Sequence, residues 1–270
     1  MSTSAKGTAL ITGASSGIGA IYADRLARRG YDLILVARNR PRLDGLAMRL
    51  VGETGRAIKA VTADLNVTAD LSKIEALLRS NAGITMLVNN AGAAATGPLL
   101  ASDVDKMDGM ISLNVRALTR LTYAAAPGFV ARGGGTIINI SSILGITPEV
   151  LNGVYGATKA FVLALSISLH KELADKHVRI QAVLPGATAP DIWEKAGLPV
   201  EISPAEIVMR ADDVVDAALV GLDEGEFITI PSLPDIADWQ AYEAARQKLI
   251  PNLSLRVPAA VPSGKWLEFA

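Results

Sequence analysis

A chain of 270 residues, half of them hydrophobic and a fifth charged, has the composition of a soluble globular protein with a large core, and α/β folds of this length are often one domain. Its net charge of −1 supplies no basic field for nucleic acid or an anionic membrane surface, and the absence of cysteine excludes disulfides and thiolate metal sites. No apolar stretch runs long enough to cross a bilayer, and the first strand pattern leaves no room for a signal peptide, so a cytosolic protein is expected.

Short β-branched runs alternate with stretches of helical period. In chain order the pattern predicts a strand over 8–11, a helix over 17–29, a strand over 32–37 and a helix over 41–54. Next come a strand over 57–62, a helix over 69–80, a strand over 86–88 and one long helix over 102–131. A strand over 136–140, a helix over 153–176, a strand over 178–184, a helix over 212–224 and a strand over 227–230 complete the series. Continuous runs such as Leu33-Ile34-Leu35-Val36 suit strands covered on both faces. The expected architecture is an α/β, Rossmann-like doubly wound parallel sheet of about seven strands, with ligands at the carboxyl ends of the strands. Residues 1–230 are expected to form a single dinucleotide-binding and catalytic domain, and 231–270 a C-terminal arm with a helical patch around 239–249. The stretch 185–210 is too long and too rich in proline for an ordinary turn, which marks a lid or binding loop.

The first strand runs into Thr12-Gly13-Ala14-Ser15-Ser16-Gly17-Ile18-Gly19 and then a helix. Glycine at 13 permits a tight turn, at 17 close approach of a phosphate, and at 19 close packing of the helix on the sheet. Free N–H groups and the helix dipole then hold a pyrophosphate. Further marks follow in order: Asp64, Asn89-Asn90-Ala91-Gly92, Asn114, Ser141-Ser142, Tyr155-Gly156-Ala157-Thr158-Lys159 and Pro185-Gly186. The ordered set, with its Gly-x3-Gly-x-Gly spacing, resembles the short-chain dehydrogenase/reductase family over about the first 230 residues.

The end of the second strand carries Ala37-Arg38-Asn39, with no carboxylate to bond the ribose hydroxyls and repel a 2′-phosphate. Arg38 can instead pair with that phosphate, and in the family such an arginine implies NADP(H) in preference to NAD. Ser16 stands where many NADP-preferring relatives carry a basic residue. By resemblance, Asp64 holds the adenine amino group and Asn90 lines the cofactor cleft. Gly13, Ser15, Ser16, Gly17, Ile18, Gly19, Ala91, Gly92, Pro185, Gly186 and Thr188 complete the expected nucleotide site, with Tyr155 and Lys159 touching it as well.

Tyr155 and Lys159 lie four residues apart in a helical segment and share a face. A free tyrosine titrates near ~10. A neighbouring ammonium lowers that value and fits the phenol for proton exchange with a carbonyl or alcohol oxygen. The resemblance makes Ser142 the hydroxyl that bonds the substrate oxygen, in preference to Ser141, and Asn114 the holder of a water that extends the proton relay. Where relatives often place a nicotinamide-binding threonine, this chain has Pro190, with Thr188 nearby. His170 and His177 find no third ligand, so no metal site is expected.

Apolar residues around 93–96 and 143–151, with Ile192 and Trp193, predict a wall suited to a hydrophobic ketone or secondary alcohol. The expected activity is NADP(H)-dependent interconversion of a ketone or aldehyde and an alcohol. A nucleotide-binding redox sensor or a lyase on the same fold are the alternatives. Family relatives are commonly homodimers or homotetramers, and the helices over 102–131 and 153–176 offer apolar positions for such an interface.

Overall fold

Strand alternation divides the core in two. Ala9 and Ile11 of the first strand point to one face, with Leu33 and Leu35 of the second, while Leu10, Ile34 and Val36 point to the other. Each face is covered by helices, which explains why both sets are apolar.

The structure, a computed structural model, describes residues 6–188 and 205–256. In chain order its elements are β1 (Thr8–Thr12), α1 (Gly17–Arg28), β2 (Asp32–Ala37), α2 (Arg40–Thr54), β3 (Ile58–Thr62), α3 (Thr68–Ser80) and β4 (Ile84–Asn89). Then follow α4 (Val104–Ile111), α5 (Leu118–Ala131), β5 (Gly135–Ile140), α6 (Gly153–Leu173), β6 (Val178–Val183), α7 (Ala211–Glu224) and β7 (Ile228–Thr229). The seven strands are parallel in the order β3-β2-β1-β4-β5-β6-β7. The chain reverses its direction of winding between β1 and β4, and that switch point opens a crevice at the carboxyl ends of the strands. The Rossmann-like architecture is as the sequence predicts.

The long helix predicted over 102–131 is corrected. Asp103 caps α4 by accepting from the N–H of Asp105 at 2.9 Å. A π-helical turn over Ser112–Ala117 then separates α4 from α5. The turn admits one extra residue, and Asn114 lies within it. Similarly α6 stops at Leu173 and closes through a 3₁₀ turn, Ala174–Lys176, with His177 in the left-handed region at φ 56°.

The chain divides into two compact units, 1–232 and 233–270. The second carries α8 (Ile236–Leu249), capped by Asp235, whose carboxylate accepts from Ala237 N–H at 2.8 Å. None of the residues of α8 is buried.

Candidate active site

Four of the crevice's components hang from the ends of β1 to β4. After β1, Gly13 adopts φ +66°, and a Cβ there would come within 2.8 Å of the Asn90 amide nitrogen and 2.9 Å of Ala91 Cα. At Gly19 a Cβ would overlap the Gly13 carbonyl and the same Asn90 amide, so that glycine serves contact with the turn itself. Ser16, extended at φ −165°, stands at the N-terminal end of α1, where first-turn N–H groups and the helix dipole suit an anion. Ser15 and Gly17 are half-buried at this turn and Ile18 is buried.

Asn90, expected to line the cofactor cleft, directs its amide at the turn. Its Nδ2 donates to the carbonyls of Thr12 at 2.9 Å and Gly13 at 3.3 Å. Thr12 answers through its hydroxyl, which accepts from the N–H groups of Asn90 at 3.0 Å and Ala91 at 2.9 Å. The β1 and β4 ends are thus stitched together before any ligand arrives. On the outer rim Arg38 is 76% exposed, with its guanidinium 4.0 Å from the Asp64 carboxylate. Asp64 also accepts from Asn66 N–H at 2.9 Å, which fixes the loop after β3.

The remaining components come from α6, the π turn and the ends of β5 and β6. Ser142 follows β5 in extended backbone, accepts from Leu144 N–H at 3.2 Å, and donates to the Pro185 carbonyl at 3.4 Å. Lys159 is buried, donates from Nζ to the Ile140 carbonyl at 3.0 Å, and lies 5.7 Å from the centre of the Tyr155 ring. Asn114 is buried too, and its Nδ2 donates to Thr158 Oγ1 at 3.0 Å. Gly92 brings the two halves together: a Cβ there would stand 3.2 Å from Asn114 Oδ1 and 3.7 Å from Lys159 Nζ. Pro185 supports the serine end by accepting from Ile143 N–H at 3.1 Å. Thr188 is buried, donates to the Gly186 carbonyl at 3.1 Å, and pairs with Met209 across the base of the 185–210 segment. Pro190, Ile192 and Trp193 lie outside the described residues.

The family model described as short chain dehydrogenase matches residues 7–199. The chain belongs to the short-chain dehydrogenase family. A short-chain dehydrogenase from Sphingobium yanoikuyae, solved in complex with NADPH, is 49% identical, with a TM-score of 0.92 over 95% of this chain and 100% of that one. The bulky-bulky ketone specific alcohol dehydrogenase from Comamonas testosteroni is 43% identical, with a TM-score of 0.86 over 95% and 98% of the two chains. An uncharacterized oxidoreductase of Staphylococcus epidermidis is 35% identical over 179 residues, 66% of this chain and 76% of that protein. The chain is therefore an oxidoreductase of the short-chain dehydrogenase type.

In this dehydrogenase the electrostatics of the Tyr–Lys pair differ from expectation. Burial pushes the Tyr155 phenol up, and the neighbouring Ser142 hydroxyl works against that rise. Burial pushes the Lys159 ammonium down to about 8. The sequence predicts an ammonium that lowers the phenol. Here the ammonium is turned to the Ile140 carbonyl, and desolvation is the larger influence on both groups.

Three positioning groups escaped the sequence argument. Thr12 holds the turn, and Ser141 donates from Oγ to the Lys159 carbonyl at 2.7 Å. Asn152 caps α6, accepting from the N–H groups of Val154 at 3.0 Å and Tyr155 at 3.2 Å. An asparagine directly before a helix-initiating glycine was the available signal. The apolar wall is mixed: Leu144 is buried, Ile143, Ile146 and Leu151 are half-buried, and Val150 is exposed. Among the described residues no helix is long and apolar enough to cross a membrane.

Proposed function

We propose that this dehydrogenase interconverts a bulky apolar ketone and its secondary alcohol with NADP(H), using Tyr155 as the general acid and base. The observation that carries this reading is the convergence of Ser142, Tyr155 and Lys159 beside a turn whose glycines leave no room for a side chain.

The nucleotide fits the residues present. Gly13, Gly17 and Gly19 keep side chains out of the pyrophosphate cradle, and exposed Arg38, with no carboxylate at the end of β2, suits a 2′-phosphate. The bound NADPH of the Sphingobium relative supports the same choice. When bound, NADPH supplies the hydride. Asp64 would take the adenine amino group, and Ala91, Gly92, Gly186 and Thr188 would flank the nicotinamide end.

On the protein side, Ser142 donates to the substrate oxygen and steadies the charge that grows there. Tyr155 gives its phenolic proton to that oxygen during reduction and takes it back during oxidation. A phenol raised by burial stays protonated at neutral pH, which suits reduction. Lys159 holds its positive charge nearby and favours the phenolate that forms once the proton has left. Asn114 would hold the water that extends the relay beyond Lys159.

Bulky ketones are favoured by the half-buried apolar wall and by the specificity named for the Comamonas relative. We also propose a homodimer or homotetramer. A groove of about 750 Å³ between α4 and α6, lined by Leu99, Val104, Met107, Ile111, Val154 and Phe161, is the face a second copy would cover.

The test is a series of aryl and alkyl ketones of increasing bulk, followed by the absorbance of the reduced nucleotide with NADPH and NADH. Turnover that favours NADPH, extends to ketones bulky on both sides and disappears in Tyr155→Phe supports the reading. Normal turnover in Tyr155→Phe would sink the mechanism, and no activity on any carbonyl or alcohol would sink the reaction class.

A further inference from the structure

The segment that leaves β4 is held at two points by asparagine side chains. At its start Asn114 takes both backbone groups of Ala93, accepting its N–H at 2.8 Å and donating to its carbonyl at 2.9 Å. Four residues on, Asn152 Nδ2 donates to the Gly97 carbonyl at 2.6 Å and to Ser102 Oγ at 3.2 Å. Ser102 closes the corner by donating to the carbonyls of Gly97 at 3.1 Å and Pro98 at 2.9 Å. Residues 93–97 therefore form a strap tied at both ends.

Both ties continue into the helix that carries Tyr155. Asn114 reaches it through Thr158, whose hydroxyl donates to the Tyr155 carbonyl at 2.8 Å. Asn152 reaches it directly, because its Oδ1 accepts from the N–H of Tyr155 itself. Asn152 is 4% exposed, and both ends of its carboxamide are occupied. Only an amide serves both partners at this size: the helix end needs an acceptor and the strap needs a donor. Aspartate would serve the helix alone, and serine, with one shorter polar atom, would not span both partners at once.

We propose that Asn152 is a positioning residue that couples the 93–97 strap to Tyr155, and so sets how large a ketone reaches the phenol. The inference rests on the reading of Tyr155 as acid and base and of the strap as one wall of the substrate cleft. With one amide holding both, a displaced strap changes the path to the tyrosine, and misplacement by about 1 Å is enough to be felt in turnover.

The test separates the two ends of the amide. Asn152→Asp keeps an acceptor for the helix N–H groups, in the charge state a helix N-terminus favours, and removes the donor to Gly97. Asn152→Ser keeps a neutral hydroxyl that can cap the helix but is a single, shorter polar atom, unable to cap and reach Gly97 at once. Asn152→Ala removes both. Each is assayed with NADPH on the ketone series, with urea midpoints measured alongside. In Asn152→Asp and Asn152→Ser the midpoint falls, because the Gly97 carbonyl loses its donor, but the protein stays folded without urea, while the kcat/KM ratio between the bulkiest and smallest ketones moves about five- to tenfold, carried by KM. In Asn152→Ala a fall in kcat across the whole series is added. Parent-like size selectivity in both Asn152→Asp and Asn152→Ser overturns the proposal. So does behaviour identical to Asn152→Ala, which would reduce Asn152 to a helix cap. Tyr155→Phe run in parallel keeps the two readings apart, since normal turnover there overturns the acid–base assignment whatever Asn152 does.

Discussion

The two halves of the crevice are built by different means. The nucleotide half, at the ends of β1 to β4, is shaped by what is missing: Gly13 and Gly19 have no room for a Cβ, and the turn's backbone carbonyls close onto the Asn90 amide. The catalytic half is shaped by buried polar side chains, Asn114, Ser142, Asn152 and Lys159, each held by a partner on another element. One half is a mould and the other a network. A mould fails when atoms are added, and a network fails when they are removed.

Four substitutions and one control press on that contrast. The largest effect belongs to the network. Tyr155→Phe deletes one oxygen and lowers kcat about a thousandfold, with NADPH affinity by fluorescence titration close to the parent's. Loss of nucleotide binding in the same variant would show that the two halves are not separable. Next comes the mould. Gly19→Ala forces a methyl against the Gly13 carbonyl and destabilises by about 3 kcal/mol in urea unfolding. Gly45→Ala, in open space on α2, is the control and stabilises by up to about 1 kcal/mol. Equal behaviour of the two variants would remove the steric argument.

Lys159 gives an effect of similar or smaller size with a pH signature. Burial lowers its pKa to about 8, below the ordinary 10.5, so protonation is harder in the folded than in the unfolded protein. The penalty is fully present below about pH 8 and is relieved as pH rises toward 10.5. Lys159→Met, though inactive, is therefore more stable than the parent at pH 7, by about 3 kcal/mol at most, and the gap narrows at pH 9.5. A less stable variant with no pH dependence would mean that the bond to Ile140 outweighs burial. The smallest effect is at the rim. Arg38→Ala lowers the preference for NADPH over NADH in kcat/KM about tenfold, and an unchanged ratio would dismiss the phosphate contact.

The same contrast explains what could be read from the chain before its fold. Gly13 to Gly19 are contiguous, and Tyr155 and Lys159 lie one helical turn apart, so local spacing disclosed both. The parallel sheet followed from alternating apolar runs. What stayed hidden was contact between distant segments: Thr12 with Ala91, Asn152 with Gly97, Ser141 with the carbonyl of Lys159. No periodicity announces a hydrogen bond across fifty residues. The desolvation of Lys159 was hidden for the same reason, since its depth depends on the sheet beneath it.

The π turn at Ser112–Ala117 makes the position of Asn114 a matter of counting. Each residue of a regular helix turns the chain by about 100°, so one extra residue rotates everything on its far side by that amount relative to the near side. Deleting any single residue of the turn, whatever its identity, would let α4 and α5 fuse into one smooth rod. The rod would satisfy its own backbone better and point the wrong face at Ala93 and Thr158. The catalytic half thus depends on a phase as well as on a set of side chains, and a phase is conserved by length alone.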